Sequence, residues 1–597
     1  MTKKKAIRIG GASAFVGDTS IAVPQIIKGG NADYIIMDYL AEVTMSYLSR
    51  SKAKRPNMGY APYFVDTTIK QNIRYLAENG IKMVTNAGGV NPQACREAVL
   101  KIAEQQGVKV NVAVVEGDDL MPRHAELAAR NITEMNTGEP WPDKMMNMNA
   151  YLGARPIKEA LDMGADIVIT GRVVDSALTL GPLMFEFGWG ETDYDLLAAG
   201  SLAGHIIECG AQASGGLHTD WEEVPDWANI GYPVIECYED GRFVVTKPVD
   251  TGGLVTPATV AEQLLYEIGD PQAYLLPDVV CDFSQVEMKQ IGENQVEVSG
   301  VIGRPPTSTY KVYGAYHDGY RCIAVLPVIG MQAVQKAERQ AKALIERTEK
   351  ISQQQGYGTY RNTLIECLGA ESAYGPHART RDTRETACKI SLEHDRYEPL
   401  EIFANEVFAP TTSMAPGTTG WFAGKPAVSP VIKLFSFLIN KEEVPYQIIM
   451  DEQQRSMTQS PKETFDPASI VRPEVGEAID PAGDMVSVPL IQLAWGRSGD
   501  KGNSCNIGIM SRKPEYLPFI RRALTIEAVH QFMNHVFDGA KNPRVERFDL
   551  PGLHALNFLL HESLGGGQAA SLRLDPLAKG MAQQLLEFPI PIPRSLI

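Results

Sequence analysis

Arg172, Asp175 and Ser176 stand together in TGRVVDSALTLGP, and His205, Glu208 and Cys209 in GHIIECGAQASGG. An arginine at the end of a β-branched run can hold a carboxylate or phosphate bidentately. Asp175 then acts as a base or orients Arg172. The competing account is an Arg–Asp ion pair capping the helix that follows. His205, Glu208 and Cys209 fall at i, i+3 and i+4, so on a helix they share one face. Histidine with glutamate is general acid–base material; the plainer alternative is a hydrogen-bonded pair at a domain junction. Cys209 becomes a nucleophile only where its surroundings lower its pKa, and a buried inert thiol is the simpler expectation.

A third group lies far downstream. LAWGRSGDKGNSCNIGI, residues 493–509, reads as strand, turn and strand, with Arg497, Asp500, Lys501, Asn503 and Asn506 crowded around the turn. A hairpin needs only one or two turn residues such as Asn or Asp with Gly. So much charge and amide suggests one wall of an anion site, shared with the loops of the N-terminal sheet. The alternative is a hairpin capped by its own side chains. NAGGVNPQA offers Gly88, Gly89 and Asn91 between a strand and a helix, with Pro92 placed for the first helical turn, an arrangement that can present backbone N–H groups to an anion. It matches neither GxGxxG nor GxxxxGK[ST], and tight βα turns explain the glycines equally well. Gly252 and Gly253 in KPVDTGGLVTPATV can also approach a ligand, and Thr256 and Thr259 can cap the next helix. Asp270, Asp278 and Asp282 are spaced too irregularly for an EF-hand. Without HxH, HExxH or CxxC, no metal site is expected.

The chain is 597 residues long, 44% hydrophobic and 21% charged, with a net charge of −16. This length exceeds one ordinary hydrophobic core. The acidic balance argues against nucleic acid, which is bound through clustered Lys and Arg. No apolar run approaches the 18 or so residues of a membrane span. MTKKKAIRIGG has a basic cluster but no apolar h-region, so no signal peptide is expected. The eight cysteines are scattered, which fits free thiols and a cytoplasmic location.

The elements that must position these groups alternate at first. AIRIGGAS, ADYIIMDYL, IKMVTN, VKVNVAVVEGDD and ADIVITGRVVD read as strands separated by helical stretches. Such alternation implies an α/β, doubly wound, mostly parallel sheet, whose ligands sit beyond the carboxyl ends of the strands. From about residue 230 the pattern turns to hairpins, such as YPVIECYEDGRFVVTKPV with its Asp-Gly turn. The expected division is an α/β Rossmann-like region over 1–230, an α+β region over 231–450, a proline-rich linker over 451–484, and a small α+β domain over 485–597.

ADYIIMDYLAEVTM, TGRVVDSAL, GHIIECGAQASGG, TGGLVTPATVAEQLLYEIGDP, YLLPDVVCDF and WGRSGDKGN, in that order, resemble the acyclic terpene utilisation (AtuA) family. The resemblance covers about residues 5–450, with residues 487–590 similar to the family's small ferredoxin-like C-terminal domain. It implies a place in the catabolism of acyclic terpenes such as citronellol and geraniol, which proceeds through acyl-CoA intermediates. It carries over no catalytic residues. The expected function is a lyase or hydratase acting on a branched-chain carboxylic acid or its CoA thioester. Arg172, Arg497 and Lys501 are its anchors, with Asp500 and Asn503 beside them, and His205, Glu208 and Asp175 its acid–base groups. No cofactor is called for beyond the CoA moiety of the substrate. A small-molecule substrate and a homo-oligomer are expected, with no nucleic-acid or membrane partner. The alternative is a non-catalytic assembly or ligand-sensing subunit, in which the same loops form an interface.

Overall fold

The computed structural model describes residues 6–420, 424–473 and 483–597. At its centre the strands Ile7–Gly11, Tyr34–Met37, Lys82–Thr85 and Val112–Glu116 run parallel, with Ile167–Thr170 inserted between the last two. Parallel neighbours need crossovers, here supplied by helices such as Glu42–Lys54, Pro92–Gln105 and Arg155–Asp162. Side chains alternate across a strand. Ile35, Met37, Met83 and Ile169 therefore pack with Met45, Ile73 and Val99 on one face. Tyr34, Ile36, Val84 and Val168 pack with Ile157, Leu180 and Leu202 on the other.

The sheet does not stop there. Val234–Cys237, Phe243–Thr246, Gln295–Ser299 and Glu287–Gly292 extend it antiparallel beyond Ile7–Gly11, and Tyr446–Met450 with Gln453–Met457 extend it beyond Val112–Glu116. The eleven-stranded result is mixed rather than mostly parallel. Its wings come from hairpins, because Asp240 and Gly241 close a short turn and let the chain return beside itself. The boundary expected at residue 230 runs through this sheet. The segment expected as a linker begins as its edge strand, while residues 474–482 lie outside the described residues.

The middle of the chain adds a second sheet. Its spine is the long strand Thr309–Ile329, paired with Glu385–His394, Val428–Asn440 and, from the N-terminal region, Asn147–Ala150. Helices Ala333–Gln354 and Tyr397–Glu406 cover one face. The C-terminal domain forms its own core on an antiparallel sheet ordered Ala494–Lys501, Ser504–Ser511, Ala555–His561, Arg544–Leu550. Among the described residues no helix is long and apolar enough to cross a membrane. None of the eight cysteines is bridged.

Candidate functional site: a cleft between the two domains

The parallel strands all end on one edge of the sheet, and polar residues follow their last apolar positions. Asp38 is buried, accepts from Asn86 Nδ2 at 2.5 Å and from the Leu40 amide at 3.2 Å. Burial and the neighbouring charge of Asp175 push its pKa well above the usual carboxylate range. Asp118 accepts from the Arg172 amide and from Asn149 Nδ2, both at 2.8 Å, and burial raises it to about 7. Arg172, 4% exposed, is held by Asp175 at 2.7 Å and the Leu40 carbonyl at 3.1 Å, with its guanidinium 4.4 Å from the Tyr151 ring centre. Its Nε is buried and has no hydrogen-bond partner among the described residues. Asp175 keeps a third of its side chain accessible.

Helix Tyr194–Ile207 brings His205 to the same edge, and Glu208 caps it. His205 Nδ1 lies 2.9 Å from Glu208 Oε1, and Nε2 lies 3.1 Å from the Leu264 carbonyl. A carbonyl only accepts, so Nε2 carries hydrogen and a single proton sits between Nδ1 and Glu208. Burial opposes the charged imidazole, but Glu208 outweighs it and His205 stays above its usual pKa. Both nitrogens are committed, which makes His205 a brace between two helices rather than a free base. Glu208 Oε2 is buried without a hydrogen-bond partner among the described residues. Cys209 is half-buried, and burial with the charges of Glu208 and Glu267 pushes its thiol up, away from thiolate reactivity.

The Leu264 carbonyl closes helix Pro257–Leu265, whose start is capped by Thr256 and Thr259 as expected, here as a reciprocal capping box. Beyond it, Glu267 has a φ of +60°, an unusual conformation for a non-glycine residue. The C-terminal hairpin holds it there. Asn506 Oδ1 accepts from the Glu267 amide at 2.8 Å, and Asn506 Nδ2 donates to the Leu265 carbonyl at 2.6 Å. Asn557 Nδ2 donates to the carbonyls of Ile268 and Gly269. Gly499 and Gly508 permit the approach: a Cβ would lie 2.4 Å from Tyr266 Cε2 and 2.5 Å from Leu265 Cβ respectively. A second fastening joins Asp220 to Arg512 through two 2.6 Å contacts and to Trp495 Nε1 at 2.6 Å.

The hairpin tip therefore faces the N-terminal strand ends. Arg497 Nη2 donates to Gln212 at 2.6 Å, and its guanidinium lies 4.7 Å from the Tyr266 ring centre. Asp500 is raised to about 7 by burial and by the charges of Glu267 and Glu42. The Lys501 ammonium lies 5.2 Å from the Tyr274 ring centre and acts on both His205 and Lys311. The middle sheet supplies the third wall through Lys311 and Tyr313, beside Tyr151. Tyr151 donates to Glu42 at 2.5 Å. Burial opposes ionisation of Glu42, but Lys311, Arg172 and Tyr151 hold it below the usual carboxylate range. Lys311 keeps exposed surface while burial lowers its pKa, the combination shown by a side chain inside an open cleft. Tyr313 Oη is buried beside Asn147.

Of the residues singled out from sequence, Arg172, Asp175, His205, Glu208, Arg497, Asp500 and Lys501 come together at this cleft. The others are taken up in packing. A Cβ on Gly88 would meet the Thr170 carbonyl at 2.5 Å, Gly89 abuts Leu48 and the Gly59 carbonyl, and Asn91 Nδ2 donates to the carbonyls of Pro56 and Met58. Gly252 and Gly253 abut the carbonyls of Asp226 and Ser214. Asn503 accepts from the Gly566 amide at 2.8 Å, tying the tip to a glycine loop. Glu42, Glu267, Tyr266, Lys311 and Lys579 escaped sequence reading. Only Lys311 left a signal, a lysine on the same strand face as Tyr313. The rest carry no local pattern.

The family profile described as "Acyclic terpene utilisation family protein AtuA" matches residues 7–450. The profile of the "AtuA ferredoxin-like domain" matches residues 488–591, the four-stranded domain that carries the hairpin. No curated protein matches the chain.

Proposed function

The chain belongs to the acyclic terpene utilisation AtuA family, and on that premise we propose that it is a catabolic lyase. Its substrate is a branched-chain carboxylic acid or the CoA thioester of one, and its reaction adds or removes water, or splits a carbon–carbon bond. One observation supports this above the rest. Asp175, Asp500, Lys311 and Lys501 come from three parts of the chain, keep accessible side chains, and face one cleft. An elimination beside a carbonyl requires an anchor for negative charge, a base and a proton donor.

Lys311 and Lys501 supply the anchors. Among the described residues neither makes a close salt bridge, although Lys311 acts on Glu42 through its charge, so each can meet a substrate carboxylate or the oxygen of a developing enolate. Asp175, fixed by Arg172, is the base on the large-domain wall. Asp500, titrating near 7, still holds a proton often enough to give it to a departing hydroxyl. The His205–Glu208 brace holds the Leu264 end of its helix, and with it Tyr266 and Glu267, in place.

The test is a panel of saturated and unsaturated branched C5 to C10 CoA thioesters and free acids. Elimination or addition of water changes the ultraviolet absorbance of the conjugated thioester, and carbon–carbon cleavage is read by mass spectrometry of the products. Turnover of one class that is lost in both Asp500→Asn and Lys501→Met, with no fall in melting temperature, is the expected result. A protein that neither turns over nor is stabilised by any member of the panel, although stabilisation follows mass action on the native state, is an assembly subunit instead.

A further inference from the structure

Lys579 stands in the small-domain wall of the same cleft, and its surroundings are built with unusual care. Its amide donates to Asp575 Oδ1 at 2.8 Å, and the next amide donates to Asp575 Oδ2 at 2.7 Å. Ala578, just before it, has a φ of +56°, a strained conformation for a residue with a Cβ. Ser498 of the hairpin holds that bend by donating to the Ala578 carbonyl at 2.6 Å. The result aims the side chain at Tyr266. Its Nζ is in hydrogen-bond contact with Tyr266 Oη and lies 4.2 Å from the ring centre, the ring that also faces the Arg497 guanidinium. An amine beside a fixed cation and away from bulk water loses its proton more readily, which is how a lysine becomes a nucleophile towards carbonyls. Burial, followed by the charge of Arg497, lowers Lys579, while Glu267, Cys209 and Asp500 work the other way.

We propose that Lys579 is an amine nucleophile that captures the ketone or aldehyde carbonyl of an oxo acid as an imine, with Tyr266 as its proton partner. The proposal rests on the cleft being the active site and selects carbon–carbon cleavage from the two lyase chemistries. The Nζ lone pair adds to the carbonyl carbon, and the π pair moves to oxygen, which takes the Tyr266 proton. Transfer of a proton from nitrogen to that oxygen through Tyr266 lets it leave as water, and the C=N bond forms. Nitrogen keeps its second proton and Tyr266 stands as tyrosinate, so in a substrate with a hydroxyl on the β-carbon the iminium draws in the electrons of the bond between the α- and β-carbons. The β-hydroxyl gives its proton to a cleft carboxylate and becomes a carbonyl, leaving an enamine on Lys579. The carboxylate returns that proton to carbon, water adds to the re-formed iminium and gives Tyr266 back its proton, and departure of Nζ releases the second product and restores the amine. Every electron pair and proton returns to its place without an oxidant or reductant.

The experiment is reductive trapping on the full chain, with cyanoborohydride and 4-oxopentanoate or pyruvate at neutral pH, followed by peptide mass spectrometry. Lys579 is expected to carry the adduct at least tenfold more than the exposed Lys101 and Lys541. Lys579→Arg is expected to abolish that adduct, and Tyr266→Phe to slow its formation tenfold or more while Lys579 still reacts with acetic anhydride. Arg497→Gln is expected to shift the pH midpoint of acetic anhydride labelling at Lys579 upward, whereas Arg497→Lys keeps it low. Adducts on Lys579 no greater than on the two surface lysines, with either probe, overturn the proposal. Trapping needs no thioester turnover, so its failure and the failure of the lyase reading are told apart: a protein that turns over thioesters without trapping refutes only the amine.

Discussion

Asp500 is the side chain of this cleft at which the proposed chemistry and the stability of the fold meet. Its ordinary value is 3.8, and burial with two acidic neighbours lifts it to about 7. The native protein therefore keeps a proton that the unfolded chain releases between those values. The stability that this proton supports is complete below the unfolded value and is lost as pH rises through about 7. Asp500→Asn removes that loss, so at pH 8 the variant is expected to be more stable than the parent by roughly 1–3 kcal/mol, and nearly equal to it at pH 4. Urea unfolding at the two pH values measures the difference. Turnover is expected to fall by about 10²–10⁴-fold, and the alkaline decline of the parent's pH profile near 7 to vanish with it. An asparagine that leaves the profile unchanged removes Asp500 from the reaction.

At the scale of elements, the cleft depends on a hairpin pressed against the end of helix Pro257–Leu265. Asn506 satisfies the Leu265 carbonyl and the Glu267 amide at once. Asn506→Ala leaves both without that partner in a buried place and is expected to cost about 2–4 kcal/mol, read as a lower urea midpoint. Gly499→Ala tests packing alone. The added methyl meets the Tyr266 ring, and overpacking of this kind costs about 1–3 kcal/mol. Because the ring partners Arg497 and Lys579, the variant is also expected to lose activity out of proportion to its stability. The hairpin itself was legible in residues 493–509, since apolar runs flank a Gly-Asn turn. Its pairing with Leu265 and Glu267 was not, because a side-chain amide gives no sign in sequence of which backbone group it will meet 240 residues away.

Across the whole molecule, the small domain has a core of its own and also lends Met510, Leu550, Leu553 and Ala555 to the core of the large body, and the two meet at the cleft. Asp220 fastens them by contacts to Arg512 and Trp495. Asp220→Ala is expected to cost about 2–4 kcal/mol, because it strands a half-buried guanidinium and an indole N–H. Hydrogen exchange should rise at residues 264–269 and 494–501 first and leave the centre of the eleven-stranded sheet protected. Uniform exchange across both bodies would show that they unfold as one unit and that the fastening is not local. Parallel strands place every polar terminus on one edge, and the antiparallel wings widen the platform without adding crossovers.

The amino-acid sequence by itself determined the local structure. Alternating strands and helices, the Asp-Gly hairpin, the Thr256 cap and the strand–turn–strand of residues 493–509 follow from periodicity and turn chemistry, which act over a few residues. It also indicated that Arg172, Asp175, His205, Glu208, Arg497, Asp500 and Lys501 were out of place in ordinary packing. Only the tertiary structure decided where they stand and what they touch. It brought the hairpin to the strand ends, committed both nitrogens of His205, absorbed Gly88, Gly89, Asn91, Gly252, Gly253 and Asn503 into packing, and introduced Lys311, Glu267 and Lys579. The physical reason is range: torsional and turn preferences are local, whereas a pKa, a buried hydrogen bond or a charge across a cleft depends on which distant atoms exclude the water.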